Sequence, residues 1–219
     1  MLIRKLGTSD VQLQLNKVKN LQLAVEKIDG VLIRPGEAFS FWKLVGLPTK
    51  RQGYLMGMLL SRGEVMQGIG GGLCQLSNLL YWMALHTPLT ITERHHHGFD
   101  PFPDDGRVLP FGSGATVFYN YVDLQFRNDT ADTYQLKVWL TDRHLRGEVR
   151  CTREQEQTYH VIEREHAFEH RNGGWYRRNQ IWRQVVDRSS GAVIREDLVT
   201  SNNAEVRYTP ESVSSIGHE

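Results

Sequence analysis

The chain has 219 residues, of which 40% are hydrophobic and 23% charged, and its formal net charge is +1. This length suffices for one large domain with a substantial core, and the composition is that of a soluble globular protein. The nearly balanced charge excludes a strong general attraction to nucleic acids or anionic membranes, so we expect neither as a partner.

The first predicted element is an amphipathic helix over residues 11–28. Ser9 and Asp10 are favourable N-cap residues, and Gly30 ends the apolar pattern. Because apolar residues recur at helical spacing, we expect one face of this helix to be buried. That face consists of Val11, Leu15, Val18, Leu21, Val25 and Ile28.

Two β-hairpins and a second helix follow. Residues 31–46 are typical of a strand, a Pro-Gly turn and a second strand. Residues 54–67 predict another hairpin, with Gly63 and Glu64 at its turn. Apolar residues cover most of the circumference of the segment from Cys74 to His86, so we predict a helix that is buried centrally.

The rest of the chain predicts mainly strands. Residues 89–99 are typical of one strand, and a loop rich in Pro, Gly and Asp precedes two further strands over 115–128 and 133–142. After about residue 152, polar and apolar residues alternate in strand-like segments, with Ser-Ser-Gly at a hairpin turn.

These elements predict an α+β fold with a central buried helix packed on an antiparallel sheet. The arrangement resembles that of papain-like and transglutaminase-like enzymes. We expect a core domain over residues 1–150 and a β-rich hairpin extension over residues 151–219 packed on it.

The sequence also predicts a compartment. The first ten residues lack the apolar run of a secretory signal, and residues 65–92, which are free of charged side chains, are interrupted by glycines and Pro88. Two cysteines are too few for a disulfide scaffold, which suits a reducing environment. We therefore expect a cytoplasmic protein without membrane insertion; its oligomeric state does not follow from the sequence.

The segment "GIGGGLCQLSNLLYWMALH" places four glycines directly before Cys74. In the first turn of a helix, unpaired N–H groups and the helix dipole stabilise a thiolate, so a catalytic Cys74 should have a depressed pKa. The glycines, or Gln75, would donate to an oxyanion. The residues predicted for this oxyanion and substrate-binding site are Gly71, Gly72, Gln75, Asn78, Tyr81 and His95.

A nucleophilic cysteine also needs a base and a group that orients the base. His95, His96 and His97 supply candidate bases, and on a strand His95 and His97 would share one face. Asp123 is predicted to orient the imidazole, with Asn120 or Asp100 as alternatives. The chain order Cys, His, Asp is that of papain-like folds.

Other interpretations of the same residues remain open. Cys74 is equally compatible with a small buried side chain behind glycines that permit close helix packing. The histidine cluster, with Cys74 or Asp123, is an alternative zinc site, although no established zinc-ligand spacing supports it. Several aromatic residues, among them Trp42, Tyr81 and Tyr121, would line a groove or fill the core.

Three segments, "RPGEAFSFWKLVG", "GIGGGLCQLSNLLYWMALHTPLTITERHHH" and "GATVFYNYVDLQFRND", resemble the VanW family. The positions that match the family motif are Pro35 to Glu37, Phe39, Ser40, Gly70 to Gly72, Cys74, Gln75, Glu93, Arg94 and His97. The match favours His97 as the base. Leu76-Ser77-Asn78 and His95-His96-His97 depart from the commoner Ser-Thr-Thr and His-Pro-His.

The resemblance implies an accessory role in glycopeptide resistance or peptidoglycan metabolism. The first hypothesis is an enzyme without a cofactor that acts on a peptide or amide bond of a cell-wall precursor, with Cys74, His97 and Asp123 as catalytic residues. Glu37 and Arg94 would then be structural. The alternatives are a non-catalytic domain that binds peptidoglycan or a protein partner, and a zinc site at the histidines.

Overall fold

The computed structural model describes residues 2–5, 11–61, 64–96, 98–100 and 109–210. Its helices are α1 (Val11–Ile28), α2 (Phe41–Val45) and α3 (Cys74–Leu85). Its strands are β1 (Leu2–Lys5), β2 (Leu32–Ile33), β3 (Ala38–Ser40), β4 (Met56–Ser61), β5 (Glu64–Ile69), β6 (Thr90–Glu93), β7 (Phe99–Asp100), β8 (Gln125–Arg127), β9 (Tyr134–Leu140), β10 (His144–Cys151), β11 (Gln157–Arg171), β12 (Gly174–Asp187) and β13 (Val193–Val206). The protein is therefore a mixed α+β molecule in which sheets predominate.

Within these ranges the strands form four sheets. The core sheet has the antiparallel order β1-β10-β9-β2, and the C-terminal sheet has the order β11-β12-β13-β7. In the C-terminal sheet, the short β7 runs parallel to the end of β13. The third sheet is β3-β8-β6, and β4 with β5 forms a separate hairpin.

Helix α3 lies at the centre of the molecule and packs against β10 and β1 of the core sheet. Its apolar residues are buried almost all the way round, as expected for a helix without a polar face. Gly147 of β10 gives it room, because a side chain there would meet Met83 and Leu79 of α3. The helix ends before Pro88, and Thr87 donates a hydrogen bond to the carbonyl oxygen of Ala84 (2.7 Å).

The papain-like arrangement is not confirmed. The strand that leads to the histidines, β6, belongs to the β3-β8-β6 sheet and not to the core sheet. It also ends at Glu93, so the predicted strand over 89–99 is too long, and His95 lies beyond its end. His95 makes only an isolated bridge with Thr116.

Helix α1 has the predicted bounds, but its apolar face is only partly buried. Leu21, Val25 and Ile28 lie in the core, whereas Val11 is 71% exposed and Leu15 is also exposed. The first turns of α1 extend past the core and contact the β4-β5 hairpin, where the Asn16 side chain donates to the carbonyl oxygen of Met56 (2.8 Å). The hairpin itself was predicted correctly, and its turn residues 62–63 are outside the described ranges.

Two predicted strands are largely replaced by other structures. The second half of segment 31–46 contains α2, because the Ser40 hydroxyl accepts a hydrogen bond from the Lys43 N–H (3.1 Å) and caps the helix. Of the strand predicted over 115–128, only β8 is present, and it is preceded by a tight turn.

The C-terminal sheet contains three long strands, and its predicted turn at Ser-Ser-Gly lies between β12 and β13. It contacts the preceding part of the chain through Arg183, which donates to the carbonyl oxygen of Thr87 (3.3 Å). A buried ion pair joins Arg177 of β12 to Asp100 of β7 (3.1 Å). The proposed division at residue 150 stays a prediction.

None of the helices in the described part of the chain is both long and apolar enough to cross a bilayer.

Candidate functional site

The glycine run before Cys74 serves close backbone packing. Gly71 lies against Gly57 of β4, and a Cβ atom on Gly57 would come within 2.6 Å of the Gly71 carbonyl oxygen. Gly70 has a φ of 78°, and a Cβ there would meet Pro48 at 2.6 Å. Gly72, with a φ of 96°, leaves no room for a side chain beside Lys17. Each of these three glycines therefore has a steric reason that needs no ligand.

The Gly71 amide was predicted to help bind an oxyanion, but it is engaged within the fold. Its N–H donates to the carbonyl oxygen of Gly68 (3.1 Å), and its own carbonyl accepts from the buried Asn20 side chain (2.9 Å). Asn20 also joins both backbone groups of Leu55, which ties α1 to the segment before β4. The turn around Gly71 is thus fixed by internal hydrogen bonds.

Cys74 is the first residue of α3, as predicted, but its thiol is in an apolar environment. The side chain packs against the hydrophobic core, and Sγ donates a weak hydrogen bond to the carbonyl oxygen of Val117 (3.7 Å). Burial raises the pKa of the Cys74 thiol above its ordinary value, and this effect outweighs the hydrogen bonds that lower it. A catalytic Cys74 requires a depressed pKa, and this desolvation acts in the opposite direction.

Three other side chains of α3 bind the backbone of the same irregular segment, residues 113–117. Ser77 Oγ donates to the carbonyl oxygen of Ala115 (2.6 Å), and Asn78 Oδ1 accepts from the Ala115 N–H (2.6 Å). Trp82 Nε1 donates to the carbonyl oxygen of Ser113 (2.9 Å). Cys74 is thus one of four side chains on one face of α3 that form hydrogen bonds with the backbone of this segment. Asn78, predicted to contact substrate, makes this structural contact, and its predicted role stays a prediction.

Tyr81 also lies in the interior and lines no open groove. Its ring is fully buried, and the Arg94 guanidinium lies 5.1 Å from the ring centroid. Arg94 Nε donates to the carbonyl oxygen of Gly114 (2.8 Å), and its terminal nitrogen donates to that of Gly112. Burial raises the pKa of Tyr81 and lowers that of Arg94. Arg94 therefore anchors the same loop that α3 binds.

Asp123 is surrounded by hydrogen-bond donors. Its Oδ2 accepts from the Ser40 hydroxyl (2.5 Å), and its Oδ1 accepts from the N–H groups of Trp42 (3.1 Å) and Leu124 (2.8 Å). These contacts place Asp123 at the N-terminus of α2, where a carboxylate is favoured. Among the described side chains, no histidine is hydrogen-bonded to it.

Glu93 forms the second carboxylate of this region. Its Oε1 accepts from the Asp123 N–H (2.9 Å), and its Oε2 accepts from the Gln125 side chain (2.7 Å). The half-exposed His95 ring lies 3.3 Å from Oε1. The motif match identified Ser40 and Glu93, but only the fold brings both of them into contact with Asp123.

The predicted base, His97, lies outside the described residues, so its distance from Cys74 stays untested. His95 and His96 are exposed, and the Thr116 N–H donates to the His95 carbonyl oxygen (2.8 Å). Residues 116–117 thus contact both the His95 backbone and the Cys74 side chain. Within the described part of the chain, no hydrogen bond joins Cys74 to an imidazole.

Residues Phe118–Val122, which directly precede Asp123, form an exposed turn, which we call the aromatic turn. Phe118 and Val122 exchange two backbone hydrogen bonds of 2.9 Å, and Asn120 adopts a left-handed φ of 63°. Tyr121 is 79% exposed and lies edge-on to the 47% exposed Phe118. Tyr119 packs edge-on against Trp42, whose Nε1 donates to the Val122 carbonyl oxygen (3.0 Å). The Asn in "VFYNY" was the available signal for this turn.

The zinc hypothesis gains no structural support. No group of three or more His, Cys, Asp or Glu side chains in the described ranges is arranged to hold a metal ion. His97 again falls outside these ranges.

Comparisons with known proteins place these features in a family. The family model described as "VanW like protein" matches residues 16–150. Over 205 residues, the chain is 38% identical to the vancomycin B-type resistance protein VanW of Enterococcus faecalis, which covers 93% of this chain and 74% of that protein. It is 34% identical over 112 residues to the uncharacterized protein YoaR of Bacillus subtilis, which covers 50% of this chain and 34% of YoaR. No solved structure matches the chain.

Proposed function

This chain belongs to the VanW family, and we propose that it contributes to glycopeptide resistance by binding a peptide of a cell-wall precursor on the aromatic turn. The name of the E. faecalis relative supports the resistance context. Binding, and not bond cleavage at Cys74, is the activity that the geometry favours.

The observation that carries this proposal is the high exposure of Tyr121 on a firmly held turn. Both ends of the turn are hydrogen-bonded to each other, and Trp42 holds Val122 from the side. Aromatic rings that are rigid and exposed contribute large contact areas at low conformational cost. A peptide laid across Phe118 and Tyr121 would cover their exposed apolar surface.

The polar groups beside the turn supply hydrogen-bonding partners for such a peptide. Glu93 and His95 are partly exposed next to the turn, and Glu93 Oε1 already binds the Asp123 N–H at the end of the turn. A carboxylate can accept several hydrogen bonds, so Glu93 can also accept from a peptide N–H. The combination of exposed rings with a nearby carboxylate is typical of a surface that binds amphipathic ligands.

The environment of Cys74 supports a structural role for the thiol. A raised pKa leaves the thiol protonated at neutral pH, and a protonated thiol is a poor nucleophile. The hydrogen bond to the Val117 carbonyl oxygen directs the thiol toward the segment that carries the aromatic turn. Cys74 would therefore support the binding surface from below.

The cysteine-dependent enzyme remains the second candidate function. Its specific support is the position of Cys74 at the first residue of α3, behind a run of glycines. It requires that His97 approach the thiol and that substrate binding expose Sγ.

A titration with a synthetic muramyl pentapeptide, followed by calorimetry and by mass spectrometry of the ligand, tests both candidates. We expect Tyr121→Ala to weaken binding about tenfold or more, because exposed tyrosines at binding surfaces often dominate affinity. Leu198→Ala, which removes an exposed apolar side chain from the C-terminal sheet, is the matched control and should change affinity less than about twofold.

Cys74→Ser separates binding from catalysis. Serine retains a hydroxyl donor for the Val117 carbonyl oxygen, so we expect binding to be unchanged and the pentapeptide to remain intact with either protein. Equal affinities for Tyr121→Ala and the wild type would contradict the binding proposal. Cleavage by the wild type that is lost in Cys74→Ser would instead establish the enzyme.

We also propose the cytoplasm as the compartment. Both cysteines are free, which is compatible with a reducing environment. Fractionation of the native host with an antibody against this chain tests the proposal: recovery in the cytoplasmic fraction is expected, and recovery in the membrane or extracellular fraction would contradict it.

A further inference from the structure

A cavity of about 210 Å³, which we call the junction cavity, lies where the end of α3 meets the core sheet and β11. It is far in the sequence from the aromatic turn and shares no residue with it. Its walls are Met83, His86, Thr87, Pro88, Tyr134, Gly147, Glu148, Val149, Cys151, Gln155, Gln157 and Tyr159. This volume is below that of typical drug-sized pockets and suits a single ring.

Most polar groups in the wall of the junction cavity are paired with each other. The buried Tyr134 hydroxyl donates to Gln155 Oε1 (3.0 Å), and Gln155 Nε2 donates to Cys151 Sγ (3.1 Å). The Tyr159 hydroxyl donates to Gln157 Oε1 (3.1 Å). Glu148, the carboxylate in the wall, is paired with Arg150 (2.7 Å). With these groups satisfied, the wall presents mainly the rings of the tyrosines and the apolar side chains of Met83 and Pro88.

In His86, a hydrogen bond determines which of the two ring nitrogens carries the proton. Nδ1 lies 2.8 Å from the carbonyl oxygen of Trp82, which can only accept, so Nδ1 carries the proton. In the neutral ring Nε2 is then an acceptor. His86 as a whole is exposed, but partial burial of its ring lowers its pKa, which favours this neutral form. A ligand that donates a hydrogen bond would therefore match Nε2.

An acidic groove adjoins the junction cavity. The groove has a volume of about 330 Å³ and shares Gln155 and Gln157 with the cavity. Its charged residues are Asp132, Glu154, Glu156 and Arg153, which leaves an excess of negative charge. Arg153 is paired with Asp132 (2.5 Å), and Glu154 is paired with Arg188 (3.0 Å). The groove is therefore suited to a positively charged group beside Glu156.

We propose that the junction cavity and the acidic groove together bind a small amphipathic amine. Its ring occupies the cavity, a hydroxyl on the ring donates to His86 Nε2, and its ammonium group lies in the groove near Glu156. The ligand class is thus a hydroxylated aromatic amine, or a peptide whose first residue offers the same groups. This site is independent of the peptide-binding surface proposed above.

Three related probes separate the contribution of the ligand's hydroxyl group from that of its ammonium group. Tyramine has the ring, the hydroxyl and the ammonium group, phenethylamine lacks the hydroxyl, and 4-ethylphenol lacks the ammonium group. We expect calorimetry to give tyramine the highest affinity, with each of the other probes weaker by about fivefold. Bound tyramine should also slow alkylation of Cys151, which lies in the cavity wall, without slowing that of Cys74.

Two variants assign each preference to its residue. His86→Phe should abolish the preference for tyramine over phenethylamine and retain the preference over 4-ethylphenol. Glu156→Gln should abolish the preference for tyramine over 4-ethylphenol and retain the preference over phenethylamine. Because position 156 is exposed, this variant also serves as the matched control for folding. The proposal is overturned if tyramine fails to bind at millimolar concentrations, or if neither variant changes these preferences.

Discussion

At the scale of single residues, four side chains on one face of α3 bind backbone atoms of a neighbouring segment. Cys74, Ser77, Asn78 and Trp82 all bind main-chain atoms of residues 113–117. An irregular segment at the edge of a core needs such partners, since unpaired buried N–H and C=O groups cost free energy. Cys74, Ser77 and Asn78 of the "CQLSN" segment thus each have a structural contact in the fold.

Replacement of Asn78 tests this explanation. Asn78→Ala removes the acceptor of the Ala115 N–H, so we expect the free energy of unfolding to fall by about 1–3 kcal/mol. Asn78→Asp keeps an acceptor oxygen at the same place and should cost less. Chemical denaturation measures both changes, and a loss below about 0.5 kcal/mol for Asn78→Ala would show that the bond contributes little.

At the scale of elements, the junction between the β4-β5 hairpin and α3 depends on two facing glycines. Gly57 and Gly71 approach so closely that a Cβ atom on either would collide with the backbone of the other. The Asn20 side chain of α1 joins the same junction by hydrogen bonds to Gly71 and Leu55. The start of α3 is therefore positioned by backbone contact, which no larger residue could replace.

Gly71→Ala is expected to disrupt this junction. The added methyl group meets backbone that cannot move aside, so we expect a loss of more than about 3 kcal/mol or a failure to fold. Gly98→Ala is the matched control: a Cβ there meets nothing within 4 Å, and its cost should be below about 0.5 kcal/mol. Thermal unfolding followed by circular dichroism compares them, and similar melting temperatures would refute the steric explanation.

Regular elements with a strong periodic pattern were predictable from the sequence. The bounds of α1, the buried character of α3 and the β4-β5 hairpin follow from apolar spacing and from glycine at the turns. Helix α2 was missed, because it is short and its formation depends on the Ser40 cap and on Asp123, a residue distant in the sequence.

The candidate site was predictable only in part. The motif located Cys74, Glu93 and Arg94, but the sequence did not decide whether the thiol would face a substrate or be desolvated by the packing of α3. The contact between Glu93 and the Asp123 N–H joins segments 30 residues apart. Such pairings depend on tertiary structure, which local patterns do not encode.

At the scale of the whole molecule, a buried ion pair joins β12, one of the long C-terminal strands, to the short strand β7, which comes much earlier in the chain. The side chains of Arg177 and Asp100 are 3% and 2% exposed, and the Tyr208 hydroxyl donates to the same Asp100 oxygen (2.9 Å). This bond and the low exposure raise the pKa of Tyr208 to about 12. The pair fixes β12 relative to the parallel pairing of β7 with β13.

Removal of either partner should therefore be costly, and the losses from the two partners should not add. Arg177→Met leaves a buried carboxylate, for which we expect a loss of about 3–5 kcal/mol. The double variant Arg177→Met, Asp100→Asn should cost less than the sum of the two single variants, because no charge is left unpaired. Urea denaturation of all four proteins measures this coupling, and additive losses would contradict a role for the pair.

The rate of alkylation of Cys74 as a function of pH tests the structural role of this thiol most directly. Iodoacetamide labelling, quantified for the peptide that contains Cys74, should be slow in the folded protein. Its rate should rise with a midpoint above about 8.5, the ordinary thiol value, whereas the chain unfolded in urea should give the ordinary midpoint. Rapid labelling with a midpoint well below about 8 would show a reactive thiolate at the start of α3 and contradict the account.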